Sequence, residues 1–139
     1  METPTHRFRR QHGELQGLAQ KLLRLAVTPG TEARELRRLL AQFAGKLRVH
    51  AAMETEALYP VLLGSPDPVT RSKAERLHAE LGSLYGTFDE FEARWDDAAA
   101  IDAHRIRFRI DLVRMMAILA RRMVRENREL YPLADAELR

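Results

Sequence analysis

Apolar residues return every three or four positions along most of the chain, the period of helices with one buried face. From Thr5 to about Thr28 the row reads Phe8, His12, Leu15, Ala19 and Leu22. Pro29-Gly30 ends this stretch, and Thr31 stands where an N-cap would open the next. A second helix is predicted from Glu32 to about Leu63, with Leu36, Leu39, Phe43, Leu47, His50, Glu54 and Ala57 along its inner face. Pro60 should kink or end it, because proline lacks an amide hydrogen and crowds the preceding turn. Beyond the loop Gly64-Ser65-Pro66-Asp67-Pro68, a third helix from about Val69 to Trp95 aligns Ala74, His78, Leu81, Tyr85, Phe88 and Phe91 or Glu92. A short connection over 96–100 leads to a fourth, about Asp102 to Tyr131, with Phe108, Leu112, Met115, Leu119, Arg122 and Glu126 on one face. No segment alternates as a strand would. Short connections between four helices predict an all-α, antiparallel up-down-up-down four-helix bundle. At 139 residues, 45% of them hydrophobic, the chain suits one domain over residues 1–139.

Ionisable groups interrupt these apolar rows, and the interruptions repeat. His50 to Pro60 (His-Ala-Ala-Met-Glu-Thr-Glu-Ala-Leu-Tyr-Pro) matches Arg122 to Pro132 (Arg-Met-Val-Arg-Glu-Asn-Arg-Glu-Leu-Tyr-Pro). Each places a Glu four residues after its opening residue and closes on Leu-Tyr-Pro. The segments from Arg10 and from Arg76 share Arg-x-His-x-Glu-Leu-x-x-Leu, so the chain reads as a duplicated helical hairpin. Residues i and i+4 of a helix project from one face, one turn apart, so His50 and Glu54 can grip one ion. His12 and His78 lie two to three turns into their helices, and the other two pairs lie a similar distance before their helix ends. In an up-down bundle His12, His50, Glu54, His78, Arg122 and Glu126 should therefore share one inward-facing layer. Buried charges of this kind cost several kcal/mol each unless paired or metal-bound. Three imidazoles and two carboxylates form a suitable ligand set for iron, manganese or zinc. A lone inward histidine is more often a hydrogen-bonded core residue, and His6 and His104 read as surface or helix-end residues.

The chain has no cysteine, which removes disulfides, thiolate ligands and a cysteine nucleophile and fits a reducing compartment. No signal-peptide pattern follows Met1, and no stretch approaches the roughly 18 apolar residues of a membrane helix, so a soluble, cytoplasmic protein is expected. The net charge of +3 and pI near 9.7 come mainly from arginines. They alternate with glutamates, as at Glu32, Arg34, Glu35, Arg37 and Arg38, rather than forming the one-sided basic stripe of a nucleic-acid reader. The arginine-rich fourth helix leaves an acidic protein partner open. No catalytic nucleophile or substrate pocket is legible. Tyr59 and Tyr131 read as packing residues before proline, with a redox role beside a metal as the rival.

The His-x-x-x-Glu of His50 and Glu54, the Leu-Tyr-Pro that follows, and the single histidines His12 and His78 on other helices resemble the hemerythrin-like HHE cation-binding domain. That resemblance spans nearly the whole chain. It implies a four-helix bundle with a non-haem iron centre, and it makes His12, His50, Glu54, His78 and Glu126 metal ligands. It implies sensing, storage or binding of a small ligand such as oxygen or nitric oxide. Arg122 departs from the family pattern, which puts a histidine there; guanidinium has no lone pair to offer a metal. Two outcomes follow: one tightly held ion rather than two, or a metal-free bundle serving as a regulatory or interaction module.

Overall fold

The computed structural model describes residues 2–139 and is helical throughout, with no strand among the described residues. The elements are α1 (His6–Ala26), α2 (Ala33–Met53), α3 (Tyr59–Leu63), α4 (Pro68–Arg94), α5 (Ala98–Ala103), α6 (Arg105–Arg125) and α7 (Tyr131–Glu137). Five-residue π-helical turns, Glu54–Leu58 and Glu126–Leu130, join α2 to α3 and α6 to α7. The long helices α1, α2, α4 and α6 share one apolar core, which includes Leu15, Leu22, Phe43, Phe88, Phe108 and Leu112. A second core, around Phe8, Leu58, Leu62, Leu77 and Leu130, fills the end of the molecule where α3 and α7 meet. Among the described residues, no helix is long and apolar enough to cross a membrane.

The two π turns are where the chain departs from simple helical spacing. Proline at 60 and at 132 cannot donate the amide hydrogen that a continuing α-helix requires. The preceding turn opens, and the Tyr59 amide donates to the Glu54 carbonyl, five residues back, as Tyr131 does to Glu126. The wider turn shifts the buried face. Ala57, expected on the inner row, is exposed, whereas Leu58 and Tyr59 are buried. The second copy buries Leu130 and Tyr131 in the same way.

Other boundaries also move. Glu32, not Thr31, is the N-cap of α2, and the Thr31 hydroxyl donates to the Thr28 carbonyl instead. The 96–100 connection is already helical from Ala98, because the Asp97 side chain accepts from the Ala100 amide and caps α5. The expected fourth helix is broken at His104, so α5 is a separate turn that packs on α2 and buries Ile101.

The two ends of the chain are tied together. Asp135 of α7 accepts from the Thr5 amide at 2.9 Å and its hydroxyl at 3.0 Å, so a carboxylate 130 residues away caps α1. Asp135→Ala should cost about 1–3 kcal/mol by orphaning these buried donors. A thermal melt should show the loss as a drop of roughly 3–10 °C; an unchanged melting temperature would mean that the cap contributes nothing.

Candidate metal centre

Between the two apolar cores lies a thin layer of buried ionisable groups. His12 comes from α1, His50 from the last turn of α2, Glu54 from the first π turn and Glu126 from the second; all are at most 2% exposed. One donor atom from each lies within 4.8 Å of all the others. His12 Nε2 is 2.9 Å from Glu126 Oε1 and 3.1 Å from His50 Nε2, and His50 Nε2 is 3.3 Å from Glu54 Oε1. Each carboxylate begins a π turn, so each is aimed inward by the same local backbone feature.

The outer nitrogens of both rings are held from behind. Asn127 Oδ1 lies 2.9 Å from His12 Nδ1, and Gln11 Oε1 lies 2.7 Å from His50 Nδ1. An amide oxygen accepts only from Nδ1–H, which leaves the lone pair of a neutral ring on Nε2, pointing at the centre of the layer. Metal-bound histidines are oriented in this way. Tyr131, fully buried, donates its hydroxyl to Glu54 Oε2 at 2.8 Å and stands 3.0 Å from His12 Nε2. Neither amide nor the position of this phenol was legible in the sequence; the only signal is that Gln11 and Asn127 adjoin His12 and Glu126.

Arg122 closes one side. Its Nε donates to Glu126 Oε2 at 3.2 Å and its Nη2 to the Tyr59 hydroxyl at 2.8 Å. His78 does not join the group, which corrects the expected six-residue layer. It is exposed, and its ring lies against that of Tyr59, with centroids 4.7 Å apart. Ala74, Leu77 and Leu81 form the buried stripe of α4, and His78 falls on its flank. The Tyr59 it lies against is itself engaged by Arg122 through the phenol hydroxyl.

The electrostatics are uneven across the layer. Burial would raise the Glu126 carboxyl, but His12, His50 and Arg122 outweigh it and hold the group well below the usual carboxylate range. Burial and the neighbouring Glu126 charge push Glu54 up. Burial would lower the His50 imidazole, yet Glu126 and Glu54 beside it prevail and raise it to about 9. Burial, followed by the two carboxylates, pushes the Tyr131 phenol far up, so it remains a donor.

A family model for the hemerythrin HHE cation binding domain matches residues 3–134. The chain belongs to that family. No curated protein and no solved structure matches it. Membership in the hemerythrin HHE family implies cation binding, and the layer fits a cation on two counts. Glu54 Oε1 is fully buried and makes no well-formed hydrogen bond among the described residues, with only His50 Nε2 beside it at 3.3 Å, an arrangement that costs several kcal/mol unless a proton or a cation meets it. Two imidazole nitrogens and two carboxylates are also a donor set that iron, zinc and manganese accept.

Proposed function

We propose that this hemerythrin HHE domain holds one metal ion, iron by preference with manganese or zinc as substitutes, through His12, His50, Glu54 and Glu126. The observation that carries this reading is the convergence of these four donors within 4.8 Å in a buried layer. His78 of the expected ligand set stands aside. The surrounding fold is read as the antiparallel up-down-up-down four-helix bundle, in a cytoplasmic protein. Bound iron would supply redox chemistry and a coordination position for a small ligand, which suits sensing, storage or oxygen and nitric oxide binding rather than turnover of a substrate. The chain's own residues set the terms. Gln11 and Asn127 fix the ring tautomers, Tyr131 holds Glu54 in place, and Arg122 supplies a permanent positive charge that disfavours a second ion.

Elemental analysis of protein purified without added metal, together with its absorption spectrum, tests this. One ion per chain is expected, falling below about one tenth in Glu54→Gln, whose neutral amide removes one of the two negative charges that meet the ion. A protein that binds no cation and melts identically with and without chelator would favour the second reading, a metal-free regulatory or interaction module. The Arg122–Glu126 ion pair is the observation that favours this alternative.

Acidity gives an independent check. A raised pKa means that His50 of the metal-free protein keeps its proton until the pH approaches about 9. An ion must displace that proton, so apparent affinity should rise about tenfold per pH unit from 6 to 8. The metal-free fold should respond in the opposite sense. A raised group contributes stability that is full below its unfolded value near 6.5 and is lost as pH climbs through about 9. Calorimetric titration with zinc in buffers of different ionisation enthalpy would reveal the released proton; pH-independent affinity would rule out His50 as a ligand.

A further inference from the structure

His12, His50, Glu54 and Glu126 are all buried, so an ion must pass between helices to reach them. The approaches differ in chemistry. On the α4/α6 side stand two guanidiniums: Arg122 pairs with Glu126, and Arg125 lies outside it on Glu80. At the second π turn, Arg9 covers the Tyr131 ring at 5.3 Å and donates to the Asn127 carbonyl at 3.3 Å. On the α1/α6 side a groove of about 520 Å³ is walled mainly by apolar and thioether groups, among them Ala19, Leu23, Met116, Ala120 and Met123. A small, hard cation gains nothing from such walls.

The α1/α2 side is different. A groove of about 270 Å³ runs there, lined by Gln11, Glu14, Leu15, Gly45, Lys46 and Val49. In sequence Gln11 adjoins His12 and Val49 adjoins His50, so the groove lies directly outside the two rings. Two of its walls are also walls of the ligand layer. Gln11 Oε1 is 2.7 Å from His50 Nδ1, and its amide nitrogen donates to Met53 Sδ at 3.1 Å. Leu15 lines both the groove and a small void bounded by His12, His50 and Glu126. At the surface Glu14 pairs with Lys46 at 3.3 Å, both side chains about half exposed. Gly45 is the one glycine of α2, although glycine weakens a helix interior. A Cβ built there meets nothing within 4 Å, so α2 lacks a side chain at a place where one would begin to fill the groove.

We propose that the divalent cation enters and leaves the buried layer through this α1/α2 groove. Glu14 takes the ion from solvent in exchange for the Lys46 ammonium, and Gln11 swings away from His50 to admit it past Leu15. Carboxylate and amide oxygens are donors that iron, manganese and zinc all accept on the way. The route rests on the reading that the layer holds a cation. Because it serves both directions, it sets the rates of exchange and leaves affinity to the ligands inside.

Zinc added to the metal-free full chain provides the probe. Stopped-flow mixing with a fluorescent zinc indicator measures loading, excess chelator measures release, and indicator competition at equilibrium measures affinity. Gly45→Met, which lays a long side chain in the groove, should slow loading and release alike by at least about tenfold, with affinity held within about twofold. Gly45→Ala fills little of the groove and should leave both rates near those of the parent. Glu14→Gln should slow loading by about threefold to tenfold at low salt, the difference shrinking as salt screens it, and Lys46→Gln should speed it. Ala120→Met, in the α1/α6 groove, should change neither rate. Positions 14, 45, 46 and 120 are exposed, and melting curves would confirm intact folding. If zinc loads but Gly45→Met leaves both rates unchanged, or if Ala120→Met is the variant that slows them, the route is overturned and the metal centre stands. Weaker affinity in Gly45→Met without slower exchange would overturn it too, since the added side chain would then have deformed the site. A parent chain that takes up no zinc would remove the metal centre itself, and the route with it.

Discussion

With metal removed, the Arg122→Met protein is expected to unfold more easily than its parent by about 3–5 kcal/mol, the usual cost of breaking a buried ion pair from one side. The variant withdraws two donors at once, from Glu126 Oε2 and from the Tyr59 hydroxyl, both in the protein interior. His12 still faces Glu126 at 2.9 Å, which places the loss towards the lower end of that range. Cation binding should change in the opposite direction. A guanidinium about 4 Å from an ion costs roughly 4 kcal/mol per unit charge at an effective dielectric near 20, and about half that at twice the distance. Its removal should tighten binding between about thirtyfold and a thousandfold. Denaturant unfolding of chelated protein and competition against a chromophoric chelator measure the two effects separately. Restoring neutrality with Glu126→Gln in the same chain should recover stability and lose the metal. If Arg122→Met left affinity unchanged, Arg122 would have to swing clear of the centre when the ion enters.

Much of this layer could be read from the sequence, because helical period and depth along the helix are both written in the order of residues. His12, His50, Glu54, Arg122 and Glu126 lie on apolar rows at matching depths, and the fold buries all five. His78 also lies at the right depth, but its helix turns a slightly different face inward. A row through Ala74 and Leu81 passes close to both Leu77 and His78, and period alone does not choose between them. Packing decides: Leu77 is buried, and His78 lies exposed against the Tyr59 ring. The π turns were half legible: Pro60 announces a disturbance, but not whether the backbone kinks, stops or widens by one residue. That extra residue is what buries Tyr59 instead of Ala57, and it brings Tyr131 to within 2.8 Å of Glu54. Gln11 and Asn127 were invisible for a different reason. A glutamine or asparagine beside a buried residue is usually solvated, and only the tertiary contact shows whose ring nitrogen it meets.

The related halves of the chain supply the last expected result. The first half carries His50 where the second carries Arg122, and both residues stand one turn before a glutamate that opens a π turn. Arg122→His would remove the permanent charge and release Glu126 Oε2, now 3.2 Å from the guanidinium, on the side of Glu126 away from its contact with His12. The Tyr59 hydroxyl would lose its donor as well, freeing the ring that His78 lies against. The introduced imidazole, Glu126 Oε2 and a His78 turned inward past Tyr59 would then offer a second set of nitrogen and oxygen donors beside the first. Iron supplied to this variant should load to two ions per chain, against one in the parent, by elemental analysis. His78→Ala placed in the Arg122→His background should return the count towards one, whereas the same substitution in the parent should leave it at one. A parent protein that already holds two ions per chain would sink this account, since it would mean that the arginine does not bar the second position.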